Sequence, residues 1–226
     1  MFIVSFFLSL IVDTKFLLLL SILSFLANFA AYDNFSSLLP YLFFFAISLT
    51  LLLLVFGINT RLIRYLLFTY LICSFFSGLT SWLIVNDVRT VGPDAERFYR
   101  YSIDQNYNPI KIPQNINLFN FYSAAPAEDF VPVIIWKFFY NLWADQPFKD
   151  IRSIGLSLNC FILSITTFGS YYLINFIPKI KEVNLKLFWV LSLTCPAYFM
   201  FTSMHVRDMF VVFSIFLILF STTLLS

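Results

Sequence analysis

A chain of 226 residues that is 60% hydrophobic and 12% charged lacks the polar surface a soluble domain needs, since such domains carry about a quarter charged residues. Mean hydropathy is +0.86, and 31 Phe stand against 5 Gly, so the bilayer must be solvent for most of the chain. A net charge of +2 argues against nucleic acid as a partner. Apolar runs recur along nearly the whole length, which predicts one all-α domain over 1–226, a polytopic transmembrane helix bundle of about six spans.

The run 2–12 is too short to cross a bilayer, which needs about 20 apolar residues. Asp13, Thr14 and Lys15 interrupt it, and 16–31 follows, so the start reads as a short helix plus a thin span. The N-terminal run has neither a basic start nor a small-x-small site, so no cleavable signal peptide is expected. Spans are predicted at 38–57 and 62–85, with Arg64 one turn into the second and able to snorkel.

Residues 86–152 form a long polar loop, and further spans are predicted at 154–177, 185–202 and 209–225. The chain then stops on an apolar run with no polar cap, as a fragment or a shortened relative of a longer protein would. Cys73, Cys160 and Cys195 each lie inside an apolar run and have no metal-type spacing, so they read as buried thiols.

Lys and Arg in short loops mark the cytoplasmic side. Arg61 and Arg64 lie in one such loop, and Lys179, Lys181 and Lys186 with Glu182 in another. Two spans separate these loops, so both fall on one side and the long loop on the other. The expected topology is multi-pass, with 86–152 facing the outer side. By the same parity His205, Arg207 and Asp208 also lie at the outer surface.

Within the loop, Gly92-Pro93 reads as a turn and the residues after it as a short helix with Asp94 as N-cap. Asp94, Arg97 and Tyr101 fall on one side at helical spacing, and Glu96 and Arg100 form an i,i+4 pair. Two readings fit. One is a capped surface helix with an ion pair. In the other, Asp94 and Glu96 share a divalent cation or supply a base, while Arg97 and Arg100 meet phosphate with forked donors. The stretch 131–143 is apolar but too short to span. Trp136, Tyr140 and Trp143 lie at helical spacing in it, which predicts an interfacial helix held at headgroup depth by its aromatics.

Ser203, His205, Arg207 and Asp208 interrupt otherwise apolar sequence. They fit a plain turn with a dipole-compensating Asp208, and they fit a site, since ionisable groups at membrane depth are costly. His205 is expected to titrate near neutral pH in either case.

At these two places the chain resembles the bacterial oligosaccharide repeat-unit polymerases of O-antigen and capsular polysaccharide. Gly92-Pro93-Asp94-Ala95-Glu96-Arg97-Phe98-Tyr99 is similar to a Gly-x-Asp-x-x-x-Tyr-Tyr-like segment in their first large outer loop. Pro196, Ser203, Arg207 and Asp208 are similar to a later segment where Pro, Ser and Arg-Asp open a membrane helix. The resemblance implies a membrane glycosyltransferase with its site at the outer face and undecaprenyl diphosphate as donor carrier. Asp94 would match the family's outer-loop acid and Arg207 its helix-start Arg.

The function expected is thus sugar transfer from a polyprenyl diphosphate to an acceptor hydroxyl in surface polysaccharide assembly. Asp94 and Arg207 are the expected catalytic residues, as base and as neutraliser of the leaving diphosphate. Glu96, Arg97, Arg100, Tyr101 and His205 are the expected substrate-binding set. No cofactor is expected, a divalent cation at Asp94 and Glu96 being the one option. The partners are the lipid bilayer, the polyprenyl-linked glycan and other polysaccharide-assembly proteins. The alternative is a non-catalytic membrane subunit, or a transporter or flippase component for glycan precursors.

Overall fold

The computed structural model describes residues 13–33, 35–86, 93–104, 130–143, 152–176, 203–205 and 208–225. Every regular element among them is helical. That suits a chain dissolved in lipid, because a helix satisfies its own backbone polar groups.

Asp13 starts a helix. Its carboxylate accepts from the Lys15 N–H at 2.8 Å, and α1 runs Thr14–Tyr32. At about 1.5 Å per residue these 19 residues rise about 28 Å, so the thin span expected over 16–31 is long enough to cross a bilayer. Residues 2–12, expected to form a short helix, lie outside the described residues. Asp33 closes α1 in the left-handed region at φ 48°, with its N–H on Phe29 O at 2.7 Å.

A 3-10 turn, Phe35–Leu38, leads into α2, Leu39–Phe56, which ends at Gly57. Next come α3 (Thr60–Val85), the short α4 (Pro93–Ile103) and α5 (Phe130–Leu142), then α6 (Ser153–Phe176) and α7 (Asp208–Leu225). Among the described residues four helices are long and apolar enough to cross a membrane: α1, α2 with its leading turn, α3 and α6. α7, expected as a sixth span, is apolar but shorter, and the span expected at 185–202 lies outside the described residues.

Polar contacts fix how the helices run. Ser24 Oγ donates to Ser74 Oγ at 2.8 Å, and Tyr32 OH donates to Ser81 Oγ at 2.8 Å, so α1 and α3 climb together. The Asn28 amide adds bonds to Ser24 O, Ser74 O and Ser74 Oγ. Hydroxyl and amide bonds of this kind hold helices together where apolar burial gives no drive, each contributing about 0.6–2 kcal/mol. Ser48 and Tyr70 hydroxyls, 2.9 Å apart, join α2 to α3. The rings of Phe44 and Phe161, 5.3 Å apart, join α2 to α6. α7 starts beside the start of α6, where Asn159 Nδ2 donates to Met204 O at 2.8 Å.

One end of the bundle therefore gathers the ends of α1 and α3, the starts of α2, α6 and α7, and the two short helices. We call it the cap. Residues 203–205 lie beside the start of α6, so the short helices α4 and α5 and the start of α7 share one end of the bundle. α6 is the central helix. It touches α2, α3, α5 and α7, and Ser153 through Cys160 are all buried.

Candidate functional site

The cap is built on the start of α6. Arg152 precedes that helix, and its carbonyl accepts the first helical bond from Leu156 N at 3.1 Å. A cation there opposes the positive end of the helix dipole, so it needs a counter-charge. Glu96 of α4 supplies it. Its Oε2 accepts from Arg152 Nη2 at 2.7 Å and its Oε1 from Arg100 Nε at 3.0 Å. The Arg152 guanidinium also lies over the Tyr99 ring, 3.8 Å from its centroid, a cation–π contact strengthened by partial desolvation. Burial works against the charged form of Glu96, but the bonds from Arg152 and Arg100 outweigh it and hold the carboxyl below its usual range.

α4 begins at Pro93, so Asp94 sits inside the first turn and is not the N-cap. Proline, with its pre-set φ and no N–H to satisfy, is well suited to a first helical position. The side chain of Asp94 lies outside the described residues, as does Arg207. The expected Glu96–Arg100 pair forms. Arg97 lies with its guanidinium 5.4 Å from the Phe98 centroid. Tyr101 is half-buried against the core. Arg100 and Arg152 thus bracket the Glu96 carboxylate, and with Arg97 beside Phe98 the first two turns of α4 and the start of α6 carry more cations than anions among the described side chains. Both Glu96 oxygens are taken by guanidiniums, so a cation bound there would have to displace them. Among the described residues no group of three or more His, Cys, Asp and Glu has metal-binding geometry.

Beneath this pair lies His205, buried to 2% exposure. Its Nε2 is 3.1 Å from the Tyr140 hydroxyl. Its ring centroid is 5.3 Å from that of Tyr99 and 5.1 Å from that of Trp136, the latter edge-on. Burial, helped by the nearby Arg152 charge, pulls its pKa down to about 3. His205 is therefore a neutral hydrogen-bonding hub at pH 7, and the expectation that it titrates near neutrality is corrected. Gly155 of α6 makes room for the imidazole, since a Cβ at this position would collide with His205 Nε2 and lie 3.0 Å from Tyr140 Oη. The Gly155 N–H, one of the orphan donors of the α6 start, reaches Tyr140 Oη at 3.3 Å.

α5 is short and helical as expected, but its aromatics turn inward. Trp136 is fully buried, its Nε1 donating to Asn159 Oδ1 at 3.1 Å. Tyr140 is buried against His205, and Trp143 packs edge-on to Phe43 at 5.6 Å. Val131, Phe138 and Leu142 are the exposed apolar side chains of this helix. Aliphatic and phenyl groups, not tryptophans, thus form its exposed face. The donors of Trp136 and Tyr140 explain the inversion, because each finds a partner only inside.

Arg152 and Asn159 were not among the residues the sequence singled out, and Tyr99, Trp136 and Tyr140 were named there without a place in the site. One available signal could have found Arg152: a cation at the very start of a long apolar helix is unfavourable alone, which predicts a nearby acid. Comparison with models of protein families, with curated proteins and with solved structures finds no match. The chain is therefore read from its own chemistry.

Proposed function

We propose that the cap is a membrane-surface site that binds a polyprenyl-diphosphate-linked sugar and transfers the sugar to an acceptor hydroxyl during surface polysaccharide assembly. The observation that carries this reading is the contact between Tyr99 and His205, whose ring centroids are 5.3 Å apart. These residues belong to the two segments that resemble repeat-unit polymerases, and 106 positions separate them in the chain. A shared site requires such a meeting, and an unrelated pair of surface turns does not.

On this reading Asp94, in the first turn of α4, takes the proton of the attacking hydroxyl. Arg207, two residues beyond His205, neutralises the departing diphosphate together with Arg97 and Arg100. Arg152 and Glu96 act through α4: their ion pair fixes the helix that carries Asp94. The site belongs at the periplasmic face of a bacterial inner membrane, and other assembly proteins would share its lipid-linked substrate. The test is Asp94→Asn and Arg207→Ala in cells, with surface polysaccharide chain length read by gel. Short or absent chains at normal protein level are expected. Wild-type lengths in both variants would remove the enzymatic reading and favour the chain as a non-catalytic subunit.

A further inference from the structure

A cavity of about 220 Å³ lies at the end of the bundle away from the cap. Ser48, Leu52 and Phe56 of α2, Ser164 and Phe168 of α6, and Phe216 of α7 line it. Both serines are satisfied from within. Ser48 pairs with Tyr70, and Ser164 Oγ donates to Cys160 O at 2.7 Å. No unmet polar group of the lining asks for water, and a smaller apolar cavity of about 150 Å³ stays dry and takes up a hydrocarbon. The mouth is edged by Leu51, Val55 and Leu217, which are exposed and continue the lipid-facing surfaces of α2 and α7. The cavity therefore opens sideways into the bilayer.

Its depth selects the occupant. From Phe56, at the last turn of α2, to Ser48 is eight residues, about 12 Å along a helix. That is close to one leaflet, since half of the roughly 30 Å hydrocarbon core is about 15 Å. A chain entering beside Gly57 would thus be housed over most of its length, whereas one hung from the cap would first cross the other leaflet. The same end of the bundle carries Lys15 and Arg64 against the single carboxylate of Asp13 among the described side chains, a charge balance that attracts anionic headgroups.

We infer that this cavity is a binding site for one acyl chain of an anionic phospholipid in the leaflet away from the cap. It is formed by α2, α6 and α7 with Leu66 of α3, and it is independent of the reaction proposed for the cap. The pairing of Phe216 with Gly169 shapes its floor, since a Cβ at Gly169 would collide with the ring and drive it into the cavity.

The test uses the full chain reconstituted in vesicles of phosphatidylcholine. A trace of phosphatidylglycerol carries a photoreactive diazirine at mid-chain, and the adducts are mapped by peptide mass spectrometry. Several-fold more labelling of the 48–56, 164–169 and 216–220 peptides than of the exposed α1 face at Leu18, Ile22 and Leu26 is expected. Ser164→Leu, whose side chain fills the cavity, should abolish that excess and leave α1 labelling unchanged. Leu217→Trp, which narrows the mouth from a lipid-facing position, should lower it in a chain whose core is untouched. Equal labelling of the cavity and α1, or an excess that survives both variants, overturns the site. An excess that unlabelled polyprenyl phosphate removes and unlabelled phosphatidylglycerol does not overturns the assignment of the occupant.

Discussion

The guanidinium of Arg152 lies over the Tyr99 ring at 3.8 Å while its Nη2 donates to Glu96 at 2.7 Å, so one side chain at the start of α6 grips two successive turns of α4. Both contacts are to the face of α4 that turns inward, and they hold that helix on the cap.

Arg152→Ala removes both grips and leaves Glu96 with only the exposed Arg100. Glu96 is partly solvated, so the loss is smaller than for a fully buried pair, about 1–3 kcal/mol. The expected result is faster amide hydrogen exchange through 95–103 with α1 and α3 unchanged. Exchange in α4 at the wild-type rate would mean that Arg152 does not hold it.

The folded-state pKa of His205 lies below its ordinary value of 6.5, at about 3. The folded chain thus binds fewer protons than the unfolded chain between those values. His205 contributes stability that is fully present above about pH 6.5 and lost as pH falls toward 3, with a slope approaching 1.4 kcal/mol per pH unit, about the value for one proton. Glu96, also lowered, works in the same direction but below its ordinary range near 4.5. Unfolding in mild detergent between about pH 7.5 and about pH 5.5 therefore isolates the histidine. His205→Gln should flatten that interval, and an unchanged slope in the variant would refute the assignment.

Gly155→Ala puts a methyl group where His205 Nε2 and Tyr140 Oη already sit. Overpacking of this kind costs about 1–3 kcal/mol. Combined with His205→Ala, the cost should fall well short of the sum of the two single variants, because the second change vacates the space the first needs. Additive losses in thermal melts would show that the two residues do not share that space.

Asn28 and Ser74 join α1 to α3 through bonds at 3.0 and 3.1 Å. Ser74→Ala keeps the backbone acceptor and removes the hydroxyl that Ser24 and Asn28 both use. A loss of about 0.6–2 kcal/mol is expected from interhelical bonds of this type, read as resistance to unfolding by denaturing detergent. Asn28→Leu, which abolishes all three bonds of the amide, should cost more than Ser74→Ala. The reverse order would contradict the network.

Hydropathy made the spans legible. α3 and α6 start and stop within two residues of the expectation, because an apolar run about 20 residues long has one way to satisfy its backbone in lipid. Asp13, expected as a break ahead of the 16–31 span, caps the helix that starts there, because a carboxylate in front of an apolar run meets the free N–H groups of the first turn. The Glu96–Arg100 pair was legible because four residues set it on one helix face. The Arg152–Glu96 pair was not, since 56 positions separate its members and no periodicity joins them. Trp136 and Tyr140 were expected at the lipid surface, because composition does not reveal which face of a short amphipathic helix carries the donors. The partners that decide this, Asn159 and His205, lie on other helices.

Asn159 gives the cap an order of assembly. Its Oδ1 takes the Trp136 N–H at 3.1 Å, and its Nδ2 gives to the carbonyl of Met204 at 2.8 Å. The first bond joins segments made close together during synthesis, while the second waits for residues that leave the ribosome 45 positions after Asn159. Tyr140 waits likewise for the imidazole of His205. Until that stretch arrives, Asn159 Nδ2 is without the Met204 carbonyl, and the Tyr140 hydroxyl has the Gly155 N–H and the Arg152 carbonyl of the α6 start but not the imidazole. The residues just ahead of α7 therefore bring the groups that lock α5 and α6 together, and the cap closes only after both of those helices have been made.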